Sequence, residues 1–282
     1  MSDVRTQDAP ERMAKQRGDT PGGFIWYELM TTDPAGAKRF YDQVVSGWSI
    51  ASDSVAPGID YRMINRSDGK MAGGVLTLTD EMQLGGARPI WIGYLHSTDV
   101  DAAVQAIKSD GGQVMMEPWD QPGVGRLAMA TGPDGAPFYL MDPIPPADDP
   151  NAKSDVFSVN DAEHVRWNEL YSSDPARSVD FYKRHFGWSQ EGDMDMGPMG
   201  KYQFFQHDGV GIGAVMKTPS NVPHSIWNHY IGVDDIDRAA KAVGDGGGQV
   251  THGPMEIPGG EYALNAIDPQ GATFGLVGPR KN

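Results

Sequence analysis

Hydrophobic residues along this chain arrive in short bursts separated by Gly, Pro and Asp. The first burst, Ile25–Thr31, mixes aromatic and aliphatic residues and predicts a strand. Thr32-Asp33-Pro34 follows, a helix start with a capping side chain and a proline in the first turn. Ala37, Phe40, Tyr41, Val44 and Val45 then fall at helical spacing, which predicts a helix over Ala35–Val45 ended by Gly47. Strands fit Tyr61–Asn65 and Gly73–Thr79. The succession then starts again, with a strand over Ile90–Ser97 and a helix over Val100–Ser109 stopped by Gly111-Gly112. Strands over Gln113–Met116, Leu127–Thr131 and Pro137–Met141 complete it. The pattern is a strand–helix–strand–strand–strand unit, used twice.

The whole pattern recurs. At an offset of 141, Trp26, Glu28 and Leu29 match Trp167, Glu169 and Leu170. Asp33-Pro34-Ala35 matches Asp174-Pro175-Ala176, and Phe40-Tyr41 matches Phe181-Tyr182. After a one-residue gap, Gly47-Trp48-Ser49 matches Gly187-Trp188-Ser189. At an offset of 136, Trp91-x-x-Tyr94 matches Trp227-x-x-Tyr230, and Gly111-Gly112-Gln113-Val114 matches Gly247-Gly248-Gln249-Val250. Order and spacing kept across both blocks identify a tandem duplication of a domain about 120 residues long. We read residues 1–22 as a disordered tail, 23–142 as the first domain, 143–163 as a Pro- and Asp-rich linker and 164–282 as the second domain.

Composition narrows the chemistry. The net charge is −15, a poor match for phosphate backbones or anionic membranes, so neither nucleic acid nor membrane is an expected partner. There is no cysteine among the 282 residues, which removes disulfides, zinc–thiolate sites, iron–sulfur clusters and thiol catalysis. The N-terminal segment lacks the apolar core of a signal peptide and no stretch suits a membrane span, so a cytoplasmic protein is expected. No G-x-G-x-x-G after a strand, P-loop or G-x-S-x-G elbow is present.

The motifs Asp33-Pro34…Phe40-Tyr41…Gly47-Trp48, Trp91-x-x-Tyr94…Asp99-Val100-Asp101 and Gly132-Pro133-Asp134-Gly135 resemble the vicinal oxygen chelate superfamily of glyoxalases, bleomycin-resistance proteins and extradiol dioxygenases. The second copy carries the same features, ending in Asp268-Pro269-Gln270-Gly271. The resemblance implies an α+β fold of four βαβββ modules paired into two glyoxalase-like domains with curved, half-open sheets. In the family's enzymes the cleft usually holds a divalent metal, with ligands on the first and last strands of modules. Those positions align here with Trp26 and Trp167, with Ile92 and Asn228, and with Tyr139 and Gly275. None is a usual hard-metal ligand, so no cofactor is expected; a one-residue slip would bring in His229, the runner-up ligand. Six of the seven histidines lie in or just before the second copy, which makes that copy the better place for any metal.

Glu28 and Glu169 are the candidate catalytic groups. Each lies two residues beyond a Trp on a strand and shares its face. In a poorly solvated cleft such a carboxylate can serve as a general base on a carbonyl compound. The structural alternative is a buried carboxylate held by backbone amides or a tyrosine hydroxyl. Trp26, Trp91, Tyr94, Trp167, Trp227 and Tyr230 are candidate ligand-binding residues, with core packing as the alternative fate of strand tryptophans. The Pro-rich segment 117–126 is expected as a loop over the cleft mouth, with Arg126 available to an anionic group. The reading is therefore a small-molecule-binding protein, working as a lyase or isomerase through a cleft Glu or as a metal-free sequestration protein, and acting as a monomer or homodimer.

Overall fold

The computed structural model describes residues 20–145, 147, 149, 152–220 and 222–281. It contains two eight-stranded sheets, one from each copy of the repeat.

In the first copy, β1 (Phe24–Thr31) leads into α1 (Pro34–Val44), β2 (Ser49–Ile50), β3 (Tyr61–Asn65) and β4 (Met71–Thr77). A short helix, α2 (Asp80–Leu84), precedes β5 (Ile90–His96), α3 (Val100–Ser109), β6 (Gln113–Gln121), β7 (Gly125–Thr131) and β8 (Pro137–Pro143). The second copy has β9 (Val165–Ser172), α4 (Pro175–Phe186), β10 (Ser189–Asp195), β11 (Lys201–His207) and β12 (Val210–Lys217). It ends with β13 (Ile226–Gly232), α5 (Ile236–Asp245), β14 (Gln249–Glu256), β15 (Tyr262–Ile267) and β16 (Thr273–Gly278). The sheet orders correspond, β2-β3-β4-β1-β5-β8-β7-β6 and β10-β11-β12-β9-β13-β16-β15-β14. In each module the first strand pairs parallel to the last, as β1 with β4 and β5 with β8, and the remaining neighbours run antiparallel.

The helix starts follow from their caps. Asp33 Oδ1 accepts the Gly36 amide at 2.8 Å, Asp174 Oδ1 accepts the Arg177 amide at 3.1 Å, and Pro34 and Pro175 open the first turns. The buried stripe of α1 is Gly36, Ala37, Phe40, Tyr41 and Val44, close to the spacing that predicts the helix. α4 ends at Gly187, whose φ of 67° is left-handed.

The segment 117–126 departs from the loop expected of it. It belongs to a β6–β7 hairpin, interrupted by register shifts between Val114 and Met116 and between Met116 and Trp119. Those bulges and Pro118 erase the alternation by which a strand is recognised. β2 and α2, of two and five residues, lie below the length at which periodicity gives a signal.

Packing groups the described residues into two compact units that divide the chain differently from the repeat. The inner unit takes the second and third modules in chain order, with Tyr94–Phe157 and Asn168–Trp227 and the residues up to Ile25. The outer unit takes the first and fourth, with Trp26–Gly93, Ser158–Trp167 and Asn228–Asn282. Each unit has its own core of strand and helix residues, dominated by Tyr41, Phe40, Trp91 and Phe274 in the outer unit and by Tyr182, Phe138, Phe181 and Trp227 in the inner one.

Of the expected tail, residues 1–19 lie outside the described residues. Pro21 and Gly22 are tied to the inner unit, where their carbonyls accept His207 Nε2 at 3.0 Å and Trp188 Nε1 at 2.8 Å. In the expected linker, Val156 and Phe157 are buried and Ser154 Oγ donates to the Ile25 carbonyl at 2.6 Å.

Candidate functional site

Alternation along the first strand of each module sorts the candidate residues onto two faces. Trp91 belongs to the helix-facing side of the outer unit. Its Nε1 donates to Tyr41 Oη at 2.8 Å, and Tyr41 donates to Asp268 Oδ2 at 3.0 Å. Asp268 Oδ1 accepts the amides of Gln270 and Ala272, both at 2.9 Å. The inner unit repeats the first bond, with Trp227 Nε1 donating to Tyr182 Oη at 3.0 Å, while its carboxylate Asp134 accepts Ser178 Oγ on Oδ2 at 3.1 Å. Burial raises the carboxyl pKa of Asp134 and Asp268 and carries both tyrosines well above their ordinary range. Trp91 and Trp227 are buried, with their one donor spent on a buried tyrosine, which is the core-packing alternative for strand tryptophans.

The opposite face carries the glutamates. In the outer unit Glu28 is 2% exposed and sits in register with Gly74 of β4. Tyr61 lies across that glycine, where an added Cβ would stand 2.2 Å from the phenol oxygen, and Trp26 Nε1 donates to Tyr61 Oη at 2.7 Å. In the inner unit Glu169 is 6% exposed, and Tyr202 Oη donates to its Oε2 at 2.6 Å. Tyr61 and Tyr202 are separated by the same 141 residues as the glutamates. That match was available in the sequence; without a Trp or Glu beside it, it carries no chemistry of its own there.

Each copy also builds a row of four residues across its second module. In the inner unit the row is Tyr94, Tyr139, Met129 and Met116, neighbours in register on β5, β8, β7 and β6. Tyr94 and Tyr139 stack with centroids 4.4 Å apart, and Trp119 meets Tyr139 edge-on at 6.2 Å. In the outer unit the matching row is Tyr230, Gly275, Asn265 and His252, on β13, β16, β15 and β14. Here the Tyr230 ring lies over Gly275, where an added Cβ would stand 2.3 Å from it. Asn228, on the same face as Tyr230, donates from Nδ2 to Asn265 Oδ1 at 3.0 Å.

The donor set at the family's ligand positions does not fit a hard-metal centre. Trp26, Trp167, Ile92, Asn228, Tyr139 and Gly275 offer an indole, an isoleucine, an amide, a phenol and no side chain. Among the described residues no group of three or more His, Asp and Glu converges as metal ligands. His229 takes the helix-facing side, 1% exposed and edge-on to Tyr27 at 5.0 Å, and burial lowers its pKa to about 3. That placement removes the runner-up ligand from the face that carries Asn228 and Tyr230. Arg126 is held by Asp101 and Asp120, so the anion it meets is the protein's own.

Paired βαβββ modules in sheets that do not close define the glyoxalase class of fold. The chain belongs to the glyoxalase/bleomycin resistance protein/dioxygenase superfamily, whose family model matches residues 23–140 and again 162–276. It is 30% identical over 271 residues to the Mycobacterium bovis protein named "Putative glyoxylase CFP32", covering 96% of this chain and 98% of that one. It is 28% identical to the anthracycline biosynthesis protein DauV of Streptomyces sp. strain C5, over 91% of this chain and 93% of DauV. Among solved structures it resembles the Mn(II)-bound glyoxalase of Novosphingobium aromaticivorans, with a TM-score of 0.60 at 16% identity over 93% of this chain and 83% of that one. It also resembles homoprotocatechuate 2,3-dioxygenase of Brevibacterium fuscum, with a TM-score of 0.62 at 14% identity over 95% of this chain and 73% of that one. These structural likenesses concern the fold. No helix among the described residues is long and apolar enough to cross a membrane.

Proposed function

We propose that this protein binds a small organic carbonyl compound and acts on it as a lyase or isomerase, with Glu169 as proton acceptor and Glu28 as its counterpart in the first copy. The observation that carries the reading is the buried Glu169 carboxylate held at 2.6 Å by Tyr202. A desolvated carboxylate in a fixed orientation can remove a proton next to a carbonyl, and the phenol keeps the same oxygen in place before and after transfer. The relative named for glyoxylase chemistry supports a carbonyl substrate. No step is assigned to a metal.

The test is turnover of 2-oxoaldehydes such as methylglyoxal by wild type and by Glu169→Gln, with folding checked by circular dichroism. We expect a loss of about 10²-fold or more in kcat/KM in the folded variant. Unchanged activity in both Glu169→Gln and Glu28→Gln would overturn the assignment. A second reading, ligand binding without turnover, draws on the aromatic Tyr94–Tyr139–Trp119 cluster and on the similarity to DauV. It predicts saturable binding that a chelator leaves unchanged and no product.

A further inference from the structure

We propose that on the outer unit's face of β13, β15 and β16 Asn228 accepts a hydrogen bond from a small neutral molecule that brings a hydroxyl or amide hydrogen. The side chain of Asn228 is 3% exposed. Its Nδ2 is used on Asn265, while its Oδ1 is buried and has no hydrogen-bond partner among the described residues. A buried amide oxygen left without a donor is destabilising, and such groups are rare in folded proteins.

The fold does not require that oxygen. In the first copy the equivalent position is Ile92, fully buried, and the position of Asn265 is Met129. An apolar pair therefore satisfies the same backbone. The second copy has replaced it with two amides, and one of their four hydrogen-bonding groups is left for something else. Around the orphan oxygen the second copy has also exchanged the phenol of Tyr139 for Gly275, over which the Tyr230 ring lies, and Met116 for the exposed His252. The four changes convert an aromatic and thioether row into an aromatic face bordered by amides and an imidazole. That combination suits a flat neutral molecule with one hydrogen-bond donor.

This inference shares with the proposed function only the idea that the protein takes small organic ligands; it uses neither glutamate. The test titrates the full-length protein with phenol and with anisole, which differ in the hydroxyl hydrogen, while following assigned NMR signals. We expect phenol to shift the side-chain amide signals of Asn228 and Asn265 and to bind roughly tenfold tighter than anisole, the ratio that one good neutral hydrogen bond supports. Asn228→Ile, the residue of the first copy, should abolish that preference. Equal shifts from both probes overturn the proposal, as does a preference that survives in Asn228→Ile. Shifts confined to Tyr202 or to the Tyr94–Tyr139 row also overturn it while leaving the Glu169 reading intact. If Asn228→Ile does not fold, the wild-type comparison of phenol with anisole decides alone.

Discussion

The two copies of the repeat agree in a tryptophan–tyrosine pair on the helix-facing side and disagree along one row of residues on the other. On the helix-facing side, Trp91 and Tyr41 reappear as Trp227 and Tyr182, at donor distances of 2.8 and 3.0 Å. On the other side, Tyr94 is kept as Tyr230, while Tyr139, Met129 and Met116 become Gly275, Asn265 and His252. The difference has a physical origin. A buried indole N–H and a buried phenol must each keep a partner, so a change to either member of the pair strands the other. The opposite row carries no buried indole or carboxyl, and in the first copy single changes there strand no such group. Duplication therefore preserves the tryptophan–tyrosine pair and leaves the row free to diverge.

The circuits should break most severely and equally. Trp91→Ala and Trp227→Ala each remove a buried indole and leave a tyrosine hydroxyl without its donor. We expect a loss of about 3–5 kcal/mol from each, read by urea unfolding. A loss from one that is several kcal/mol smaller than from the other would show that the circuits differ in weight.

His229 supplies a difference private to the second copy, where the first has Gly93. Its folded pKa is lowered to about 3 from the ordinary 6.5. The unfolded chain takes up a proton below pH 6.5 and the folded chain does not, so stability is fully present above 6.5 and is lost as pH falls toward 3. At 1.4 kcal/mol per pH unit, about 2 kcal/mol should disappear between pH 6.5 and 5. Replacing it with a residue that does not titrate, as in His229→Leu, should flatten that slope in unfolding experiments across the same range.

How much of this was legible beforehand follows the same division. Asp33-Pro34 and Asp174-Pro175 announce their helices because cap and proline act within one turn. The repeat announces the four modules because order and spacing survive duplication. Trp91 and Trp26 look alike in sequence, yet they belong to opposite faces, since a strand's face depends on a register that sequence alone leaves open. Trp26 to Glu28 was readable as one face, because the two lie two residues apart in the same strand. Tyr202 on Glu169 was not, because that pair joins residues 33 apart through the pairing of strands.

Tyr41→Phe and Tyr182→Phe sharpen the comparison without opening a cavity. Each removes a single oxygen, so the tryptophan donor is stranded in both units. The outer unit also loses the bond to Asp268, whereas Asp134 in the inner unit keeps Ser178 at 3.1 Å. We expect about 1–2 kcal/mol from each, with Tyr41→Phe the larger of the two. Equal losses would mean that Asp268 draws what it needs from the amides of Gln270 and Ala272.

The smallest effect belongs to Arg126, the residue whose charge stood out in the sequence. Its guanidinium is about one-third exposed, and its partners Asp101 and Asp120 are more than half exposed. Ion pairs so open to solvent contribute little, because water and salt screen the attraction and holding long side chains costs entropy. Arg126→Ala should therefore shift the urea midpoint slightly, and added salt should shrink the shift further. It should also leave any ligand's affinity for the Tyr94–Tyr139 row unchanged, since the positive charge is already neutralised by two carboxylates of its own unit. A tenfold loss of affinity for an anionic ligand in Arg126→Ala would show instead that the guanidinium leaves Asp101 to meet it, and would return this hairpin to the binding face.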